Sequence, residues 1–423
     1  MRTRALTLLV ILYVFNFIDR NLLSILLTSI KEDLQVSDTL MGFLMGPGFA
    51  LFYTLAGIPI ARLADRYARR TVMAVGLALW SIATAASGLV RSFGEMAVAR
   101  IFVGVGEASA TPSAHSLISD LFPPDRRASA IAIYNMGASI GIFLGLAFGG
   151  LLHDSLGWRN AFLIVGLPGV LFALVVRFGL PEPRRGAAEG LEDSGTPPSL
   201  REVLGHLLAL RSFRHLLAAA GLYSINAYAM TTWPAAFMER VHHLTPGEFG
   251  WKLGLVIGLG GAAGALVGGF LADALAKRDM RWLMWLCAAS GCALVPFLAG
   301  FCFSPDPTWA LWLFVPANFL NQFYAAPSYA LTQGLAQLRM RAVASAVILF
   351  VINLVGLGMG PQLVGVLNDL LAPTFGDQAI RYSLAGVGLF NVWGAVHSIL
   401  GARSLRAELA QVTADNAARA GAA

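Results

Sequence analysis

The sequence predicts an all-α membrane protein with twelve transmembrane helices in two six-helix bundles that repeat one another in the same orientation. Three observations predict it. Of the 423 residues, 57% are hydrophobic and only 13% charged, whereas soluble domains carry about a quarter charged residues. Apolar stretches of about 20 residues, each long enough to cross a bilayer, recur along the whole chain. The halves also echo each other. Ala61-Arg-Leu-Ala-Asp65-Arg-Tyr-Ala-Arg69-Arg70 reappears 208 residues on as Gly269-Phe-Leu-Ala-Asp273-Ala-Leu-Ala-Lys277-Arg278. Pro112-Ser113 and His153-Asp154 recur 215 residues on as Pro327-Ser328 and Asn368-Asp369. Parallel repeats of this kind place a substrate site between the halves near the bilayer midplane.

The spans are read as helices because lipid leaves no backbone polar group a partner outside the segment, and because none of them alternates like a barrel strand. The first, 5–29, follows Met-Arg-Thr-Arg directly and shows no cleavage site, so it is read as a retained helix. The second, 39–62, ends at the basic loop carrying Arg62, Arg66, Arg69 and Arg70. Arg91 separates the third, 71–90, from the fourth, 95–118, and Arg126 and Arg127 separate that from the fifth, 128–152. Arg159 marks the start of the sixth, 159–180. A polar stretch rich in Pro, Gly, Glu and Arg, 181–211, reads as a cytoplasmic linker. Beyond it lie 212–238, 251–272 and 281–303, the last ending at Ser304-Pro305-Asp306-Pro307. Then come 308–335, 342–371 and 380–401, with a tail at 402–423. The predicted domains are thus a bundle at 1–180, the linker, and a bundle at 212–401.

Of the 30 Lys and Arg residues, 22 fall on the side that holds the N-terminus and six on the other. That bias puts both termini in the cytoplasm. The short tails suggest a prokaryotic inner membrane.

The net charge of +6 does not indicate nucleic acid, because the basic residues sit in short loops rather than in one patch. Cys287, Cys292 and Cys302 are an odd set with no His nearby and read as small buried hydrophobes. The seven histidines form no metal pattern, and no Gly-Lys-Ser/Thr loop suggests ATP drive. No nucleophile–base constellation suggests an enzyme. No cofactor or metal is expected, and the chain is read as a monomer.

The loop Ala61 to Arg70 resembles the signature that follows span two in the major facilitator superfamily, with Ala61 and Ala68 in place of its glycines. Arg100-x-x-x-Gly104-x-Gly106-Glu107-Ala108 is similar to the superfamily's span-four motif. Gly141-x-x-x-Gly145-Leu146-x-x-Gly149-Gly150 is similar to its span-five motif, with Leu146 where that motif has Pro. Within the superfamily, Asn16-Phe-Ile-Asp19-Arg20, Gly104-Val-Gly106-Glu107-Ala108-Ser109 and Leu117-Ile-Ser-Asp120-Leu-Phe122 most resemble the Spinster family of lipid transporters. Organic-anion symporters use similar first and fourth spans. The resemblance implies alternating access. It also implies a cytoplasmic gate built on Asp65, Arg66, Arg69 and Arg70, with Asp65 meeting the start of span eleven near Arg341.

Only Asp19, Arg20, Arg100 and Glu107 are charged residues deep within the spans. A charge at the bilayer centre costs at least about 2.5–3.5 kcal/mol and therefore faces protein or water and takes a partner. Arg100 and Glu107 are two turns apart on one helix, and Asp19 and Arg20 are about 100° apart on another, so pairing must run between helices. Asp19 with Arg100 is the first expectation, and Arg20 with Glu107 the alternative. A purely structural clamp is one reading. The stronger one makes Asp19 and Glu107 the proton carriers and Arg20 and Arg100 their partners and the substrate's. The second half has no deep charge but offers Tyr223, Asn226 and Tyr228 in span seven and Asn321 and Tyr324 in span ten as possible cavity lining. A charged half facing an aromatic one suits an amphiphile with an ionic head and an apolar tail. The expected function is proton-coupled transport of a lipid or lipid-like anion, with an organic-anion/proton symporter as the alternative.

Overall fold

In the computed structural model every apolar stretch read from the sequence is helical, and no strand occurs among the described residues. These are residues 2–183 and 199–421; for 58, 65, 124, 125, 128, 338, 342 and 417–421 only the backbone is described. Residues 184–198 of the linker and the last two residues of the tail therefore lie outside the described residues.

Several spans are built from two helices with a break between them. Span one is α1 (Arg2–Ile25) and α2 (Leu27–Leu34), and span two is α3 (Asp38–Met45) and α4 (Pro47–Arg66). Pro47, with no N–H to donate, opens α4. Span three is α5 (Arg69–Ser87), and span four is α6 (Phe93–Glu107) followed by α7 (Ala110–Leu121). Spans five and six run together as α8 (Pro124–Gly179), which turns over at Gly157. There φ is 79°, a left-handed value that glycine adopts without steric cost.

Within the predicted linker, Leu200–Ala209 forms α9 and buries Val203 and Leu207. The rest of the chain runs through α10 (Arg211–Thr232), α11 (Pro234–His242), α12 (Pro246–Gly254), α13 (Gly261–Ala276) and α14 (Arg281–Phe303). It continues as α15 (Pro307–Asn321), α16 (Ala325–Leu335), α17 (Arg341–Val351), α18 (Gly358–Phe375), α19 (Ala379–Gly388) and α20 (Phe390–Gly421). Single π turns at Leu255–Gly260 and Ile352–Leu357 join α12 to α13 and α17 to α18. The predicted tail is not separate from span twelve: α20 carries on through it, with Leu405 and Val412 buried. Among the described residues, seven helical runs are long and apolar enough to cross a membrane. Two of them, Ser129–Gly179 and Val343–Asn416, span 51 and 74 residues, the length of more than one crossing.

The chain forms two compact units. The first comprises Met1–Asp193, Thr231–Leu259 and Gly365–Gln378, so two pieces of the second half pack with the first. Glycines allow it. A Cβ on Gly250 would lie 2.5 Å from the Leu146 carbonyl oxygen, and one on Gly258 2.6 Å from that of Ser139. The helix backbones of α12 and α8 therefore nearly touch, as small residues permit in membrane bundles. The second unit comprises Ser194–Met230, Gly260–Val364 and Ala379–Ala423. Its core joins Val203 and Leu207 to Phe213, Leu216, Met284 and Leu405. Cys287 and Cys302 are buried as expected, but Cys292 is exposed on the other face of α14.

Candidate functional site

In the first unit, both expected charge pairs form at once. The Arg100 Nη1 donates to Asp19 Oδ1 and Oδ2 at 3.2 and 3.4 Å. The Arg20 Nε donates to Glu107 Oε2 at 2.6 Å. Asp19 and Arg100 are each 3% exposed and Glu107 not at all, while the Arg20 side chain keeps 20% of its surface open.

The glycine motifs hold this quartet in place. A Cβ on Gly141 would come within 2.6 Å of the Val14 carbonyl oxygen, and one on Gly145 within 2.9 Å of that of Ile18. The first part of α8 thus lies directly against the turn of α1 that carries Asp19 and Arg20. Gly106 does the same for Glu107, since its Cβ would sit 2.8 Å from the Trp80 amide of α5.

Three aromatic rings surround the Arg20 guanidinium: Phe17, Phe49 and Tyr53, with centroids at 5.3, 4.8 and 4.9 Å. Cation–π contact stabilises a cation that has left water. Phe49 and Tyr53 come from α4 and carry no motif that would have singled them out. Two buried polar atoms of the quartet, Glu107 Oε1 and Arg100 Nε, make no hydrogen bond among the described residues. Chemically, the arrangement pairs a partly open cation with a buried carboxyl that has one unused oxygen, next to a second carboxyl–guanidinium pair.

The second unit places the expected cavity residues differently. Tyr223 is a core residue: it is 2% exposed, and its hydroxyl meets Ser398 Oγ at 3.0 Å. Tyr324 packs beside it, ring to ring at 5.7 Å. Asn226 and Asn321 are buried and bonded to each other at 3.0 Å. Tyr228, half-buried, donates to Asn353 Oδ1 at 3.0 Å. Bonds between helices account for Tyr223, Asn226 and Asn321, because a buried polar group needs a partner, and ring packing accounts for Tyr324.

The residues expected at a cytoplasmic gate also divide. Arg69 is 1% exposed and braces its own unit. It pairs with Asp120, donates to Glu182 Oε1 at 2.8 Å, and reaches the Ser116 hydroxyl at 3.0 Å. The Arg70 amide donates to the other Glu182 oxygen at 3.0 Å. Arg66 is exposed, and the side chain of Asp65 lies outside the described set.

Sequence reasoning missed a cluster at the opposite end of the first unit. Asp38, 3% exposed, accepts a bidentate pair from Arg240 at 2.5 and 3.0 Å, Lys31 at 2.8 Å and the Asn368 amide at 3.0 Å. Two acids cap helix starts here. Asp369 of α18 accepts the Asp38 and Thr39 amides of α3 at 3.1 and 2.7 Å. Asp154 of α8 accepts the Thr245 hydroxyl and the Gly247 amide, at the start of α12, at 2.6 and 3.0 Å. Carboxylates are favoured at helix N-termini. The only sequence signal was the match of His153-Asp154 with Asn368-Asp369, read as repetition and not as a matched pair of caps.

A family model for the Major Facilitator Superfamily matches residues 9–361. The chain belongs to that superfamily. It is a major facilitator transporter, an integral multi-pass membrane protein and not an enzyme. It is similar to an MFS-type efflux pump of Mycolicibacterium smegmatis, 36% identical over 90% of this chain and 88% of that one. A probable L-galactonate transporter of Escherichia coli is 27% identical over 66% of this chain and 63% of its own length. Among solved structures, a bacterial homologue of the human lysosomal transporter Spinster, inward-facing and unoccupied, superposes with a TM-score of 0.86. It is 28% identical, covering 96% of this chain and 98% of that one. The transporter therefore stands close to Spinster within the superfamily, as its first and fourth spans suggested.

Proposed function

We propose that this transporter moves an amphiphilic, lipid-like anion by alternating access, coupled to protons. The observation that carries the reading is the buried quartet, with its one partly open cation inside an aromatic frame. Arg20 offers an anionic head group a multi-donor contact, which guanidinium makes better than ammonium. Asp19 and Glu107 are the proton carriers. A buried carboxyl changes its proton affinity when water or its arginine partner moves, and each state of the carrier sets both. Protonating Glu107 releases Arg20 to meet the anion, which links the two cargoes.

A structural clamp is the competing explanation of four buried charges, but a clamp has no use for a partly exposed arginine side chain or an unused carboxyl oxygen. The two six-helix halves, 1–180 and 212–401, are read as the moving bodies, with Asp65, Arg66 and Arg70 at the cytoplasmic gate. The capped, ion-paired cluster around Asp38 is read as the closed extracytoplasmic gate. The protein acts as a monomer in a bacterial inner membrane with both termini in the cytoplasm.

The likeness to an L-galactonate transporter favours one alternative, an organic-anion/proton symporter. A thermal-shift screen against lysolipids, sphingoid phosphates and sugar acids separates the two, because a ligand that binds the native state raises its apparent stability. Single-chain anionic lipids should stabilise the protein. Stabilisation by sugar acids alone would transfer the assignment to the symporter.

A further inference from the structure

Beyond the transport site, the second unit carries a groove of about 440 Å³, within the size range of ligand pockets. Four helices supply its walls. Arg214, Leu217, Ala218, Gly221 and Leu222 follow one another at helical spacing along one face of α10. Trp393 and His397, one turn apart, come from α20, and Val351 and Val355 from the end of α17 and the π turn after it. Leu208 of α9 adds to the lining. From Arg214 to Leu222 the groove runs about 12 Å along α10.

Apart from Arg214 and His397 the lining is apolar. Trp393 is 55% exposed, so the groove opens on the outer surface of the unit. Gly221 keeps its floor low, with the Val355 and Val351 side chains at 3.5 and 3.6 Å nearest the place a Cβ would take.

Its polar end is chemically specific. Arg214 is exposed and has no ion pair or side-chain hydrogen bond among the described residues. The Glu408 carboxylate accepts the Arg211 and Ser212 amides at 2.9 Å each and forms no ion pair with Arg214 among the described residues. His397 meets His215 Nδ1 to Nδ1 at 3.0 Å, which leaves its Nε2 as the polar atom available to the groove. By the distribution of Lys and Arg, the start of α10 is the cytoplasmic end of its span. The groove thus descends from the anionic face of the bilayer towards the midplane, with a cation at its mouth.

We propose that this groove is a binding site for an acidic phospholipid of the cytoplasmic leaflet. One acyl chain lies along α10 between α20 and the Val351–Val355 ridge, and the phosphate meets Arg214 at the interface. Basic pockets between transmembrane helices on the cytoplasmic side hold anionic head groups in this way. The site is separate from the quartet: it lies wholly in the second unit and uses none of the four residues. It does not depend on what the protein transports.

The test uses the purified full-length protein and a phosphatidylglycerol bearing a photoreactive group on one acyl chain. Crosslinks should map to peptides containing 214–222, 351–355 and 393–397. Arg214→Gln should weaken phosphatidylglycerol binding about fivefold, the worth of one interfacial cation. Ala218→Phe, which fills the groove, should abolish those crosslinks whatever the head group. Phosphatidylcholine should compete poorly with the probe in the parent. Crosslinks spread evenly over the outer surface, or Arg214→Gln with parental affinity, would overturn the proposal. So would displacement of the probe by the transported substrate at its transport affinity, which would make the groove part of the substrate route. The crosslink map of the parent decides the matter even if Ala218→Phe does not fold.

Discussion

Asp38→Asn removes one charge from the cluster at the far end of the first unit while nearly keeping the side chain's shape. Asp38 is 3% exposed and neutralises Arg240, itself 9% exposed, through two hydrogen bonds. Lys31 is 31% exposed, so water recovers most of what it loses. Arg240 is not so compensated. Breaking a buried pair by removing one member costs about 3–5 kcal/mol, and the lower end applies because this cluster sits at the end of the helices. If the cluster exists only while the extracytoplasmic gate is closed, a loss of about 3 kcal/mol moves the equilibrium between closed and open forms by roughly a hundredfold. The assay is pulsed electron–electron distance measurement between labels at Glu32 and His243, both exposed, in a Cys292→Ser background. Asp38→Asn should add a longer distance to the distribution. Arg240→Gln should do the same, and the double variant should go little further than either single one, since both remove one shared interaction. A parental distribution in all three, with folding intact, would refute the idea that these residues latch a gate.

Further expectations concern the quartet and the packing around it. Asp19→Asn and Glu107→Gln should each reduce, and together abolish, the response of the inward–outward equilibrium to pH between about 4 and 8; a response of parental size in the double variant would move attention to the histidines. Arg20→Ala should weaken binding of anionic lipid tenfold or more, the worth of a charge-assisted hydrogen bond, and Arg20→Lys should restore only part of it; a titration by intrinsic fluorescence reads both. Arg69→Met removes the buried cation that Asp120 and Glu182 share and should lower stability by about 3 kcal/mol, seen as a lower Tm; an unchanged Tm would assign Arg69 a role other than bracing. Gly250→Leu would force α12 off α8 at the Leu146 carbonyl and should disfavour the form closed around Asp38, read by the same label pair.

The sequence showed most where chemistry is expensive. Four charges in apolar helices could not lie unpaired in lipid, so their partners were legible before any coordinates, and both pairings that depth allowed are present. The glycines of span five were legible as a close-packing motif, and they sit where α8 meets α1 beside Asp19. The helical stretches were legible because lipid leaves the backbone little choice. The breaks within them were harder to see, since Leu26 and the π turns depend on packing rather than on a local signal. Tyr223 and Tyr324 looked like cavity lining because aromatic and polar residues serve equally well as lining or as bonds between helices; only position distinguishes the two. Asp38 and Arg240 lie 202 residues apart, at the first turn of α3 and the last turn of α11, and nothing local marks one as the other's partner. Phe49 and Tyr53 were hidden for the same reason, being two aromatic residues among many in apolar helices. Leu200–Ala209 was masked by its polar neighbours.

The central claim is that the buried quartet couples protons to the movement of an amphiphilic anion, and transport itself tests it most directly. Parent and Glu107→Gln proteins are reconstituted into liposomes with an imposed pH gradient, and movement of a labelled anionic lysolipid is followed beside that of a labelled sugar acid. The account predicts that the gradient drives the lysolipid in the parent, that reversing the gradient reverses the movement, and that Glu107→Gln retains binding but loses the response. Gradient-driven movement of the sugar acid alone, or a lysolipid flux in Glu107→Gln that still follows the gradient, would contradict it.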